Sequence, residues 1–125
     1  MRAAALAVVD AWAAYQDAAL PADSGEFTLV ADDEGTYVKA TEGVRRVLGY
    51  EPDDLVGRRI RDVAAPDLQD LTSQDWQAFL AAGRQEGAYR LVASDGTVVP
   101  LRFQARAHHP VPGFHSSRLW IDGEA

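Results

Sequence analysis

The first twenty residues carry apolar side chains at the three- and four-residue spacing of an amphipathic helix. The apolar stripe consists of Ala5, Val8, Val9, Trp12, Tyr15 and Ala19. Asp10 and Asp17 lie on the opposite side of the helical wheel, and Pro21 ends the pattern. Residues 22–25 have the composition of a short linker. The pattern predicts a separate helical unit over residues 1–22.

This stripe has two compatible interpretations, packing against the helix's own domain and contact with a second copy of the chain. Part of it follows the seam spacing of a coiled coil, but it spans too few heptads to specify one. The candidate interface consists of Val8, Trp12, Tyr15 and Ala19, together with Trp120 near the end of the chain.

From residue 26 onward, apolar residues recur at every second position in short runs, which is the period of a half-buried strand. The predicted strands cover residues 27–31, 36–40, 88–93, 97–108 and 115–121. Gly35 can supply the positive φ for a first hairpin turn, and Asp95-Gly96 is a strong signal for a later one. Val98, Arg102 and Trp120 are predicted to point to the outer face of the resulting sheet.

Helical periodicity separates the second predicted strand from the third. It covers residues 42–48 and 73–82, with single turns at 52–57 and 60–63 between them. Thr41 and Ser73 are predicted N-caps, because a hydroxyl before a helix can accept a backbone N–H of the first turn. Gly49 and Gly83 are predicted to end the two longer helices.

The order of these elements predicts an α+β fold in which a five-stranded antiparallel sheet carries helices on one face, preceded by the N-terminal amphipathic helix. The main domain is predicted to span residues 26–122. A chain of 125 residues is long enough to bury one core.

Composition narrows the function further. The chain has no cysteine, so disulfides, thiolate chemistry and cysteine-ligated metals are excluded. A formal charge of −7 with scattered basic residues argues against a nucleic-acid partner. Arg58, Arg59 and Arg61 are close together, and we interpret them as a solvated turn rather than an anion site.

Several segments of this pattern resemble the PAS family of sensory domains, over residues 27–122. Those that carry the resemblance are Asp33-Glu34-Gly35 with Val47-Leu48-Gly49-Tyr50, the E/D-L-x-G-like Asp53-Asp54-Leu55-Val56-Gly57-Arg58, and Tyr89-Arg90-Leu91 with Asp95-Gly96. The chain departs from the family at Thr41, where many relatives have Asn, and at Ala65, where many have His. The resemblance implies a sensory and signal-transduction module.

The residues present argue against two of the cofactors known in this family. Its flavin photosensors form a cysteine adduct, which this chain cannot make. Its haem-binding members commonly use a histidine of the long helix, and residues 73–82 contain none, so haem is not expected. Noncovalent flavin stays an alternative, because Trp76 or Tyr89 could stack on its ring.

A pocket is predicted between the sheet and the helices. Its predicted lining is Val47, Leu48, Leu55, Ile60, Phe79, Leu80, Tyr89, Leu91, Leu101 and Phe103. The same residues would equally make a filled core, so both a filled core and a pocket for an apolar ligand such as an acyl chain remain open.

All three histidines lie around the last hairpin, where His109 and His115 share strand parity and could face each other. With no carboxylate expected beside them they make an incomplete zinc site, so no metal is predicted and the sequence favours surface histidines. A further alternative, a small enzyme built on a cone-shaped α+β sheet, would require a buried Asp–His pair in the pocket. Known catalytic motifs are absent, and we predict no enzyme.

The sequence therefore predicts a cytoplasmic signalling module that acts through protein–protein interaction, with a homodimer as the first candidate assembly. A downstream output domain or a regulatory protein is a further candidate partner. The charges between residues 2 and 17 interrupt any membrane-spanning run, so a membrane is not expected as a partner.

Overall fold

The computed structural model describes residues 2–21 and 24–122. In it, the segments with apolar residues at alternate positions form strands, as predicted. The helices are α1 (Arg2–Ala19), α2 (Val44–Leu48), α3 (Pro52–Leu55), α4 (Ile60–Val63) and α5 (Thr72–Ala82), and a 3₁₀ helix spans Pro66–Leu71. The strands are β1 (Glu26–Asp32), β2 (Tyr37–Ala40), β3 (Arg84–Val92), β4 (Val98–Arg106) and β5 (Phe114–Ile121). The predicted linker positions 22 and 23 lie outside the described residues, as do residues 1 and 123–125.

The five strands form one antiparallel sheet in the order β2-β1-β5-β4-β3. This confirms the predicted α+β fold and its hairpins, with Gly35 at φ +78° in the first turn. Strand β3 begins four residues earlier than predicted. Arg84 pairs with Arg106 through the backbone, and this pairing needs no apolar alternation at the exposed sheet edge.

The inner face of the sheet and helices α2 to α5 enclose the main core. Phe27 and Leu101 are each 0% exposed there, and Leu119 is 4% exposed. Leu55 of α3 and Val44 of α2 belong to the same buried cluster. Burying a side chain of this size contributes about 1.5–3 kcal/mol, so this cluster determines which face of the sheet points inward.

Helix α1 packs on the outer face of the sheet, against β1 and β2. Its buried residues are Val9 and Ala13, which belong to a second apolar cluster with Val30 of β1 and Phe114 of β5. The predicted stripe is therefore only partly the packing face. Val8 and Tyr15 lie beside it and are exposed.

Polar contacts fix the orientation of α1. Asp10 forms an ion pair with Lys39 of β2 at 3.4 Å, and the Asp17 carboxylate accepts the backbone N–H of Glu42 at 3.0 Å. Burial is the largest effect on the Asp17 carboxyl and raises its pKa. The acidic side of the helix thus faces β2 and α2.

Both predicted N-caps are wrong. Thr41 directs its hydroxyl to the backbone N–H of Thr28 in the neighbouring strand, at 2.8 Å, and α2 starts three residues later without a side-chain cap. Ser73 lies inside α5, which begins at Thr72. In the first case a buried strand N–H competes for the hydroxyl, because leaving that donor unpaired costs more than a missing cap.

Gly43 lies where β1 and the start of α2 approach closely. A methyl group there would lie 2.3 Å from the Glu26 carbonyl oxygen, although the backbone at φ −59° suits any residue. We expect Gly43→Ala to lower the free energy of unfolding by about 1–3 kcal/mol in urea denaturation. Glu42→Ala, at the exposed neighbouring position, should change it by less than ~0.5 kcal/mol. Equal effects would contradict the close approach.

Candidate functional site

A cavity of about 110 Å³ lies between α5 and the inner face of the sheet. Its wall is mostly apolar and consists of Leu29, Ala31, Tyr37, Ile60, Thr72, Asp75, Trp76, Phe79, Gln85, Tyr89, Leu91, Phe103, Ala105, His115, Ser116, Ser117 and Leu119. Typical pockets for drug-sized molecules measure roughly 300–1,000 Å³, and an engineered cavity that binds benzene measures ~150 Å³. The core is therefore nearly filled, with room for a small molecule.

The ten residues predicted to line a pocket fall into three groups. Those at the cavity wall are Ile60, Phe79, Tyr89, Leu91 and Phe103. Those packed in the surrounding core are Val47, Leu48, Leu55 and Leu101. Leu80 is half-buried on α5 and belongs to neither group.

Tyr37 and His115 were not predicted at the wall, and Trp76 was named only as a residue that could stack on a flavin ring. The other polar wall residues that were not predicted are Thr72, Asp75, Gln85, Ser116 and Ser117. The signal for His115 was present, since it shares strand parity with the inward-facing Leu119. Trp76 lies one turn before Phe79, and their ring centroids are 5.3 Å apart. Strand alternation and helical spacing together could have placed both at the cavity.

The hydroxyl of Tyr37 is the most unusual polar group of the wall. Tyr37 is 6% exposed, and its hydroxyl forms no hydrogen bond with any described residue. No fully buried polar side-chain atom among those residues lacks a partner, so this oxygen keeps some accessible surface, and Tyr37 belongs to the cavity wall. Burial, helped by the neighbouring Tyr89, raises the pKa of Tyr37, and the hydroxyl keeps its proton.

Tyr89 supplies the second phenol of the wall and is half-buried. The Tyr89 ring packs against Phe103 with centroids 6.3 Å apart. Burial, and then the negative charge of exposed Asp75, raise the pKa of Tyr89. Among the described residues the wall contains no Lys or Arg, so the cavity offers hydroxyl donors and one nearby acid but no cation.

At one end of the cavity, His115 joins the β1–β2 turn to the β4–β5 loop. Its ring is 1% exposed; Nε2 lies 2.8 Å from Asp33 Oδ1, and Nδ1 accepts the backbone N–H of His108 at 2.9 Å. Trp76 donates its indole N–H to the Asp33 carbonyl at 2.9 Å. The turn, the loop and α5 therefore meet at this ring.

This geometry corrects the prediction of surface histidines without a carboxylate neighbour. His115 is buried and paired with Asp33, and its ring contacts His108, with centroids 4.7 Å apart. His109 instead lies outside against Trp12, with centroids 5.4 Å apart. Burial and the positive charge of Arg106 lower the pKa of His109.

The Asp33–His115 pair is the feature that the enzyme alternative required, so its chemistry matters. Both His115 nitrogens are occupied, because Nδ1 accepts an N–H and Nε2 therefore carries the proton donated to Asp33. Such a ring has no free nitrogen to act as a base. The geometry indicates a structural pair that connects two loops.

The same protonation pattern bears on metal binding. Ligand-type atoms of Asp33, His108 and His115 lie within 4.8 Å of one another. His108 also accepts a backbone N–H at Nδ1, from Gly113 at 2.9 Å, so each neutral ring holds its proton on Nε2. A metal needs a free imidazole lone pair, and this arrangement presents N–H donors instead.

On the outer face of the sheet, the predicted interface residues differ in exposure. Tyr15 is 71% exposed and Val8 is 46% exposed, and Ala19 is also exposed. Trp12 and Trp120 are half-buried, the latter with the Arg118 guanidinium 5.4 Å from its ring centroid. Val98 and Arg102 of β4 are exposed, so helix α1 does not cover this part of the outer face.

Within residues 2–21 and 24–122, every helix is too short or too polar to cross a bilayer.

Known proteins share this architecture and parts of the sequence. The family model described as PAS fold matches residues 37–113, more than half of the chain. Hypoxia-inducible factor 1-alpha from Xenopus laevis is 31% identical over 86 residues; the match covers 68% of this chain and 11% of that relative.

Two solved structures share the fold at low identity. The PAS-B domain of Drosophila melanogaster Cycle, a tryptophan-to-alanine variant with bound glycerol, aligns at a TM-score of 0.66 and 14% identity over 76% of this chain and 98% of that one. A PAS domain from Colwellia psychrerythraea aligns at 0.67 and 16% identity over 90% and 93%. With the family match, they show that this chain belongs to the PAS-fold family.

Proposed function

We propose that this PAS domain is a signalling module that pairs with a second copy of itself through the exposed side of α1 and the outer face of the sheet. Domains of this family are typically sensory and signalling modules, and they commonly dimerise or bind other proteins.

One observation carries the proposal: α1 has a second apolar side after its own packing requirement is met. Val9 and Ala13 fill the contact with the sheet, while Val8 and Tyr15 remain exposed beside them. Exposed large apolar residues that cluster, rather than occurring singly, mark interaction surfaces.

The exposed side of α1 adjoins the uncovered part of the sheet. Asp10 faces β2, so the opposite side of the helix, with Trp12, faces the β4–β5 loop at His109. Beyond that loop lie Trp120 and Arg118 on the same outer face. Trp, Tyr and Arg are the residue types that dominate binding energy at protein interfaces.

Signal transfer would follow from the position of α1. A stimulus that binds one arrangement of the helix more tightly than another shifts the population of the paired state by that difference in affinity. The cavity and α1 lie on opposite faces of the sheet, and β1 contributes residues to both, with Leu29 at the cavity and Val30 under the helix.

The pairing surface can be tested with two matched substitutions. We expect Val8→Asp to weaken self-association at least roughly tenfold, because a charge would be buried in an apolar contact. Leu71→Asp is the control, since Leu71 is also 46% exposed but lies in the 3₁₀ helix away from α1. Sedimentation equilibrium measures both, with far-UV circular dichroism to verify helix content. Equal weakening would contradict this surface.

A second candidate function is small-molecule sensing in the cavity. The Tyr37 hydroxyl supports it, because it belongs to the cavity wall and forms no hydrogen bond with any described residue, so it can donate one to a ligand. The size of the cavity favours a small molecule over a flavin or a long acyl chain. Native mass spectrometry of freshly purified protein tests for retained ligand, and an added small mass would support the proposal.

A further inference from the structure

We infer that the cavity selects a neutral molecule about the size of one six-membered ring, whose single oxygen accepts a hydrogen bond from the Tyr37 hydroxyl. The inference rests on the proposal that the cavity is a ligand site, and it adds the chemical class of the ligand and the residue that recognises it.

Volume sets the size of the ligand. The cavity measures about 110 Å³, somewhat less than the ~150 Å³ engineered cavity that binds benzene. The cavity is partly open to solvent and its lining includes the exposed Asp75, so a substituent can extend outward. One ring fits this space, whereas three fused rings would require the core to rearrange.

The wall determines where the ligand can be polar. Trp76, Phe79 and Phe103 present aromatic surface, which packs well against another ring. Both His115 nitrogens are already occupied, so that ring offers only apolar contact. Tyr37 and Ser116 are both at least nine-tenths buried at the wall, and neither hydroxyl forms a hydrogen bond with a described residue. The Tyr37 phenol is the stronger donor of the two, because a phenol is more acidic than an aliphatic alcohol.

Charge excludes an anionic ligand. The described wall contains no Lys or Arg, and Asp75 lies close enough to Tyr89 to raise the pKa of that phenol. A carboxylate would lose its hydration without gaining a cation and would face this acid. A cation gains little, because the Asp75 carboxylate is exposed and its field is screened by water.

The experiment compares three probes of similar size: phenol, toluene and benzoate. Binding is measured by NMR titration of ¹⁵N-labelled protein, with the Trp76 indole and backbone amides of α5 as reporters. In the unaltered protein we expect benzoate to bind weakest. In Tyr37→Phe we expect toluene affinity to stay within about twofold, while the preference for phenol over toluene falls roughly five- to tenfold.

The quantity compared is the change in the phenol-to-toluene affinity ratio between the unaltered protein and the variant, so the different hydration of the two free probes cancels. Tyr37→Phe removes an oxygen that forms no hydrogen bond with any described residue, and Tyr89→Phe is a matched control expected to change the ratio less.

The outcomes separate the two proposals. Cavity shifts with toluene but an unchanged phenol preference in Tyr37→Phe, or benzoate binding as tight as phenol, would overturn the ligand class and leave the cavity as a ligand site. If none of the three probes shifts the α5 reporters, the cavity is not a ligand site. The proposal of small-molecule sensing and the proposed ligand class then both fail.

Discussion

Leu101→Ala is expected to lower the free energy of unfolding by about 2–5 kcal/mol, whereas Val98→Ala on the same strand should change it by less than ~0.5 kcal/mol. Leu101 is 0% exposed on the inner face, paired with Tyr89 and Ile121 on either side. Removing its side chain leaves a space that the tightly packed core cannot close. Val98 is 41% exposed and loses little contact.

Urea denaturation followed by circular dichroism measures both variants at equal protein concentration. The pair tests the register of β4, because a shift by one residue would exchange its inner and outer faces. Similar losses for the two variants, or a larger loss for Val98→Ala, would contradict the sheet described here.

His115→Leu is expected to lower the free energy of unfolding by about 2–4 kcal/mol. Leucine fills similar space but accepts no hydrogen bond, so the backbone N–H of His108 loses its partner inside the protein. The β1–β2 turn also loses the donor that reaches Asp33. We expect faster amide hydrogen exchange at residue 108 as the local sign of this loss.

His108→Asn is the matched control for that substitution. His108 is exposed and has φ +53°, a conformation that Asn tolerates better than most residues. We expect it to cost less than ~1 kcal/mol. A larger loss for His108→Asn than for His115→Leu would show that the buried ring does not connect the two loops.

The strands and most turns could be predicted because their signals are local. Alternation at period two places Leu29 and Leu119 inward without knowledge of their partners. Gly49 and Gly83 end their helices at φ +79° and +84°, as the absence of a side chain allows.

Other features depend on partners distant in the chain. The Asp33–His115 contact joins residues 82 positions apart, so no local pattern announces it. Thr41 has suitable chemistry for a cap, yet Thr28 thirteen positions earlier takes its hydroxyl. The spacing of apolar residues in α1 did not determine which side of the helix packs on the sheet, because alanines occur on several sides. Contact with β1 and β2 buries Val9, whereas Val8 stays exposed.

The cavity was the least predictable part of the site. Periodicity indicates which side chains point inward, but the volume left between them depends on how their shapes fit together. Ile60, Phe79 and Phe103 were among the predicted pocket residues and lie at the cavity wall, while no sequence pattern indicated the position of the Tyr37 hydroxyl.

Sedimentation equilibrium of the unaltered chain over a range of concentrations tests pairing through α1 and the outer sheet face. If the chain pairs in this way, its mass rises with concentration toward twice 13.6 kDa, and Val8→Asp has a lower mass at each concentration. A constant mass of 13.6 kDa up to the solubility limit would contradict it.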